Sequence, residues 1–389
     1  MRKSGLTTII ITIAFLLLLL PSRASEKGAN DSTLMIPFIR TEIHTGVFYN
    51  LHRERDQVRT NDTNDLEKLT SHSLKFRWAH RRWKYHTFRQ EEWEYQLQAG
   101  PFYGEGSLLD SSASQVIDAS HTVTGLRTNA SARYSSRFYY NSRSYTIVKV
   151  NAWGRYDLFK RKEDGTFLDS SRVESPWLEK TNQSKLRMGI EAEGGWGWGR
   201  LSPVNDMMKA EYLLQKYYAG RVFSEKEVLL FAREIARIKN RRNARMGHHP
   251  EKEAEQVKTY LNRKMMLEAP ENIAADWQTG EFLPRLKGTR MEAGPFFNYY
   301  NMEPDFVWGG YLSIENARYC SLNRNRNIAA RLSYNSYKRQ DWLRLEVDLG
   351  WDFYPGINSR YGFGVKYVPG VVVHDIDDYG TLRHYVTPY

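Results

Sequence analysis

The sequence predicts an all-β membrane barrel of about 12 antiparallel transmembrane strands, with an α-helical insert between strands 6 and 7. Three observations predict it. Apolar and polar residues alternate with a period of two over stretches of about ten residues, longer than ordinary strands. The apolar side of these stretches is rich in the Trp, Tyr and Phe that make up 14% of the 389 residues. The alternation lapses for a long span only over 202–285, where helical signals replace it.

Composition narrows the class. A mean hydropathy of −0.63 excludes a polytopic helical membrane protein, and the one long apolar run, Leu6 to Leu20, is shorter than the ~20 residues a spanning helix needs. Arg2 and Lys3 precede that run and Ser22-Arg23-Ala24 follows it, which reads as a secretory signal over 1–24 cut after Ala24. Lys and Arg number 56 against 45 Asp and Glu, a mild basic excess for an exported chain and no argument for nucleic acid. The single cysteine, Cys320, forbids an internal disulfide. Sequons at Asn61-Asp62-Thr63 and Asn129-Ala130-Ser131 read as chance outside a eukaryotic secretory route.

Taken in order, the strands are expected near 38–51, 72–86, 89–104, 121–140, 143–161 and 183–199 in a first half spanning 25–201, then near 288–301, 305–318, 325–338, 341–354, 359–373 and 381–389 in a second half spanning 286–389. The clearest is 341–354, where Leu343, Leu345, Val347, Leu349, Trp351 and Phe353 alternate with Arg344, Glu346, Asp348, Gly350 and Asp352. In the second strand Trp83 and Tyr85 take over from the even positions near Arg81, which suggests a bulge. An even count closes a barrel with both termini on one side. The stretches 52–71, 105–120 and 162–182 then read as long external loops, and Thr87 and Asn141-Ser142 as short periplasmic turns. Aromatic residues at strand ends, such as Tyr139, Tyr140, Tyr299 and Tyr300, suit interfacial girdles.

Two hairpins can be set in register. A turn at Arg339-Gln340 would place Ile328 by Trp351, Leu332 by Val347 and Arg331 opposite Asp348. A turn over Asn301 to Pro304 would place Tyr300 opposite Asp305, Phe297 by Trp308, Ala293 by Leu312 and Arg290 by Glu315. The lumen is therefore expected to carry Lys149, Arg155, Arg187, Glu191, Arg290, Glu315, Arg331, Arg344, Glu346, Asp348 and Asp352. These charges should bridge one another, narrow the bore and leave weak ion selectivity.

The span 202–285 reads as a periplasmic insert. Ser224 and Glu227 form a capping box for a helix near 225–245 with the stripe Val228, Phe231, Ile235 and Ile238. Pro250 starts a second helix near 251–267, and DMMKAEYLLQKYY at 206–218 forms an earlier one. Arg233, Arg237, Lys239, Arg241, Arg242 and Arg245 would give the 225–245 helix a basic face. That face is either solvated or a contact for peptidoglycan or a periplasmic protein. His248-His249 followed by Glu251 could suggest a metal site, but the adjacent histidines have no third and fourth ligand at recognisable spacing, so no metal and no other cofactor is expected.

Catalysis is not expected either. A Ser/His hydrolase needs a nucleophile within reach of an oriented base, and His44, His80, His374 and His384 have no motif partner. Twelve strands is nonetheless the size of the outer-membrane phospholipase, which keeps a lipid-interface enzyme as the alternative. GWGWGRLSPVNDMMKAEYLLQKYY and FSEKEVLLFAREIARIKNRR, over roughly 194–242, resemble a segment of Bacteroidota outer-membrane porin-like barrels with a periplasmic helical insert. The resemblance implies the barrel and the insert and transfers no catalytic residue. The closing Tyr385-Val386-Thr387-Pro388-Tyr389 partly matches the aromatic-ended strand that barrel assembly machinery recognises, with Arg383 and Pro388 departing from it. The expected protein is a monomeric narrow passive channel or structural envelope element among the lipids of a Gram-negative outer membrane. A further alternative is an assembly partner working through its insert.

Overall fold

A computed structural model describes residues 35–388 apart from 60–62, 113–115, 169–173, 243–248, 279–283, 303–304, 322–323, 339, 357–358 and 375–379. The segment expected to be a signal, Arg245 and His248 lie outside the described residues. Twelve strands form one antiparallel meander, each paired with its neighbours in chain order. They are β1 (Phe38–Arg59), β2 (Thr63–Tyr85), β3 (Arg89–Ser112), β4 (Val116–Tyr139), β5 (Ser144–Leu168), β6 (Glu174–Pro203), β7 (Leu286–Tyr300), β8 (Phe306–Ser321), β9 (Arg324–Tyr337), β10 (Gln340–Gly356), β11 (Ser359–His374) and β12 (Gly380–Pro388). Among the described residues no ladder joins β12 back to β1.

The first six strands run 22 to 30 residues, well into the stretches expected to be external loops. Those three loops are corrected to short connections between paired strands. Beyond Leu51 and Leu158 the alternation dissolves into mixed polar sequence (HRERDQVR, KRKEDGT), which reads as loop. The neighbouring strand nevertheless supplies hydrogen-bond partners, and the ladders β1–β2 and β5–β6 continue without a shift.

One face of the meander exposes a band of large apolar side chains, including Val47, Phe76, Leu158, Ile190, Trp196, Phe297, Trp308 and Leu312. Leu345 and Val347, on the same face, are buried. The other face is polar, and the sheet curls toward it. Arg137 of β4 and Glu292 of β7 approach to 2.8 Å although β5 and β6 lie between them, where a flat sheet would hold them about 14 Å apart. One close crossing of backbones is at β6–β7. The ladder skips between Glu193↔Phe296 and Trp196↔Ala293, and a Cβ on Gly195 or Gly294 would stand 2.1 or 1.9 Å from a carbonyl oxygen of the facing strand. Only glycine allows the two backbones to cross that closely.

No bulge interrupts the second strand at Arg81, where the ladders on both sides keep register. The change of phase has another cause. Trp83 and Tyr85 lie on the polar face, and the Tyr85 hydroxyl donates to Glu92 Oε1 at 2.6 Å. The β7–β8 hairpin has the expected register, including Phe297↔Trp308 and Arg290↔Glu315. The β9–β10 hairpin is shifted by two residues from the expected one. Tyr337 faces Gln340, and Lys338, directly after Tyr337, takes a left-handed φ of 51° as a tight turn requires. Ile328 meets Leu349, and Arg331 meets Glu346 in place of Asp348. Because the shift is even, both faces are preserved.

The insert contains α1 (Asn205–Tyr217), α2 (Glu225–Lys239), α3 (Pro250–Lys264) and a short α4 (Ile273–Gln278) that helical periodicity did not signal. The capping box at Ser224 and Glu227 is present, and α2 stops at Lys239, earlier than expected. Leu213, Leu214, Phe231, Ile235, Val257, Leu261, Ile273 and Trp277 pack into one core, while Val228 lies at its rim. None of the described helices is long and apolar enough to cross a membrane.

Candidate functional site

Alternation places one charged or polar side chain of every second residue on the concave face, and the curl decides which of them meet. Near the insert end, Glu292 is 2% exposed and accepts from Arg137 Nε at 2.8 Å, Lys149 Nζ at 2.6 Å and the Tyr145 hydroxyl at 3.3 Å. Arg137 also bridges Glu92 at 3.3 Å. Arg290 pairs with Glu315 at 2.7 Å. Lys149 and Arg331 share Glu193, at 3.3 and 2.8 Å, and both cations lie over the Tyr311 ring. The result is a clamp of side chains from β3 to β9 across the concavity. Removing one partner of such a buried pair costs about 3–5 kcal/mol, because it strands the other charge.

Several expected inward residues join this clamp, namely Lys149, Arg290, Glu315 and Arg331. Others form separate sets. Arg344 and Lys366 bridge Glu346 at 2.8 and 3.2 Å. Asp352 accepts from Asn327 Nδ2 at 3.3 Å, and Asp348 stands opposite Lys366 in the ladder. Glu191 accepts from Asn151 and Tyr300. Arg155 binds Asp157 at 2.7 Å, and Arg187 sits beside it with no ion pair among the described residues. Sequence reasoning missed Arg137, the centre of the clamp. The alternation Arg133, Ser135, Arg137 signals it, but the adjoining Phe138-Tyr139-Tyr140 reads as a girdle.

The insert is fastened across this end of the sheet. Arg40 Nη2 of β1 donates to Asp206 at 2.7 and 3.0 Å, and Lys239 lies 3.8 Å from the same carboxylate. Asn240, capping α2, accepts from the Ile39 backbone N–H at 2.8 Å and donates to the Pro37 carbonyl at 2.8 Å. One amide side chain thus serves a backbone N–H of β1 and the carbonyl just before that strand, as a neighbouring strand would. On the opposite side the Tyr319 hydroxyl of β8 donates to Glu211 at 3.1 Å, and Arg285 packs 3.9 Å from the Tyr354 ring of β10. Between the insert root and β8–β10 lies a cavity of about 220 Å³ lined by Arg285, Glu315, Asn325, Asn327 and Asp352 among others.

The basic face expected on α2 is corrected, because part of it turns inward. Lys239 is buried over the Trp277 ring, and Arg242 binds Glu253 at 2.8 Å. Glu253 in turn accepts from Trp277 Nε1 at 2.7 Å. Arg237 is engaged by Glu234, and Arg233 and Arg241 remain on the exposed side. Buried Asp206 and Glu253 draw these cations in. Asp276 shows the same logic. Burial pushes its carboxyl up, but hydrogen bonds from Lys216 and Tyr217 and the charges of Lys216 and Lys209 outweigh it and hold the pKa below the usual carboxylate value. Burial and the bond to Asp276 push the Tyr217 hydroxyl up to about 12.

The histidines that a hydrolase reading would use are dispersed. His44 contacts Glu42 at 3.1 Å. His80 stacks on Trp78 on the apolar face. The side chains of His374 and His384 lie outside the described set.

No protein-family model matches the chain, and no curated protein matches it. Among solved structures it is similar to the translocator domain of the autotransporter NalP from Neisseria meningitidis, with 8% identity and a TM-score of 0.28 over 93% of this chain and 88% of that one. It is also similar to the β domain of the Bordetella autotransporter Brka, with 10% identity and a TM-score of 0.22 over 88% and 97%. Scores this low carry no argument about family or activity.

Proposed function

We propose that this chain is an outer-membrane β-barrel protein of a Gram-negative envelope, a narrow passive channel constricted at its periplasmic end by the salt-bridge clamp and by the helical insert. The observation that carries the reading is the division of the two faces. Large apolar side chains stand exposed on the convex face, over 11 residues in β5 from Val148 to Leu158, which is the length a tilted strand needs to cross the membrane. Water would not tolerate that band, whereas lipid would solvate it. The concave face carries the charges, as a lumen does. With both termini on the periplasmic side, the insert faces the periplasm too.

The test is single-channel recording in a planar bilayer. The wild type should pass a small steady current, well below that of porins with 16–18 strands. The double variant R137A/E292A removes the central pair of the clamp and should raise the conductance. Absence of current in both proteins would overturn the channel.

A further inference from the structure

Farther from the insert, β2 to β6 carry a second charged zone on the concave face, and it is not balanced. Two adjacent ladder rows cross it. One runs Gly100, Arg127, Asp157, Lys185 and the other Arg77, Gln98, Asn129, Arg155, Arg187. Lys75 adds a cation on the same face two residues before Arg77. Against these six cations stands the single carboxylate of Asp157, which Arg127 and Arg155 already share at 2.7 Å each. Lys75, Arg77, Lys185 and Arg187 form no ion pair among the described residues.

Arg155 and Arg187 are direct cross-strand partners, and like charges so placed are destabilising. The Nε atom of Arg187 is in addition shielded from solvent with no acceptor among the described residues, a loss for that donor. The repulsion and the unmet donor meet at Arg187, and both are relieved by one thing, an anion with several oxygens. The zone lies at the outer end of the apolar band. Tyr156, Leu158, Leu186 and Met188 are the exposed outward residues at this level, and beyond them the outward face turns to Lys160, Lys162 and Lys180. The cations themselves face the concavity, so the occupant comes from solution and not from the lipid leaflet.

We propose that Arg155 and Arg187, with Arg127 and Lys185 on the adjoining row, form an oxyanion-binding site at the outer end of the lumen, suited to a solute bearing a phosphate, sulfate or carboxylate group. Guanidinium forks bind such groups in bidentate fashion, which explains arginine at the facing pair. The site gives the channel an anion preference in place of the weak selectivity that paired charges imply, and to that extent it rests on the channel reading.

Titration calorimetry of the full chain refolded in detergent, with sodium sulfate and then inorganic phosphate at low ionic strength, tests the site without requiring conduction. Wild type should bind saturably, and R155Q/R187Q should bind at least about tenfold more weakly, since each charge-assisted hydrogen bond removed is worth about that factor. R53Q, on the outward face, should bind as wild type does. Heat-dependent gel mobility checks folding, and if the double variant fails to fold, R187K, which keeps the charge and loses the fork, should still weaken binding. No saturable binding by wild type, or equal binding by the folded Arg155/Arg187 variants, overturns the site. Sulfate binding without bilayer current would overturn the channel and leave the site standing, while current without sulfate binding would overturn the site alone.

Discussion

The two halves of the meander use the same alternating code and end differently. In β1–β6 the strands continue past the apolar band, so that β5 and β6 reach 25 and 30 residues, while β7–β11 run 14 to 17 and turn back near its edge. The contrast extends to charge. Where the curl at Gly195 and Gly294 folds β7–β9 over β3–β6, carboxylates meet arginines and the clamp forms. Where the longer strands pass beyond that curl, the one carboxylate of Asp157 serves both Arg127 and Arg155, and the neighbouring Lys185 and Arg187 form no ion pair among the described residues. Alternation thus assigns a side chain to a face, and curvature assigns it a partner.

The strongest way to break that contrast is to remove the curl. Gly294→Val would drive a Cβ into the Gly194 carbonyl oxygen 1.9 Å away, so the refolded, heat-modifiable band should be lost. Gly310→Ala, whose nearest atom is 3.7 Å away, should fold normally. If Gly294→Val folds like wild type, close crossing at β6–β7 is not what bends the sheet.

Next comes the clamp. Glu292→Ala takes the nearest carboxylate from Arg137 and Lys149, leaving them Glu92 and Glu193 at 3.3 Å each, and should lower stability in urea by up to about 3–5 kcal/mol. R137A/E292A should lose less than the two single variants together, because the pair is coupled. Additive losses would show that the two side chains act independently.

The insert should respond to pH through Asp276. Its folded pKa is depressed, so its contribution is present above the unfolded value of about 3.9 and is lost as pH falls through the lower folded value. Tyr217 has the opposite sign. Its raised pKa stabilises fully below about 10 and the gain is lost as pH rises toward about 12. Fluorescence of the buried Trp277 environment should change at both limits, and Asp276→Asn should remove the acid limb. An unchanged acid limb would exclude Asp276 as its source.

The smallest effect is expected at the seam between insert and sheet. Asn240→Ala should cost about 1–2 kcal/mol and should speed hydrogen exchange at the Ile39 amide, which Asn240 now covers. Exchange at wild-type rate would show that the amide is protected by something else.

Much of this was legible in the sequence. Period-two patterning determined the twelve strands, both faces and the β7–β8 register, and the capping box determined where α2 begins, because these signals depend on neighbours a few residues away. The extensions of β1–β6 past the apolar band were not legible, since their polar sequence matches that of loops and only a paired strand next to them holds them extended. Nor was the two-residue shift at β9–β10, because an even slip leaves each face unchanged and the hydrophobic pattern cannot detect it. The inward turn of Lys239 and Arg242 depends on Asp206 and Glu253, which lie on other helices. The partition of the concave face into a paired clamp and a wall with more cations than carboxylates was likewise decided only by tertiary structure. Ion pairing falls off over a few ångströms, and which strands come that close is set by how sharply the sheet bends.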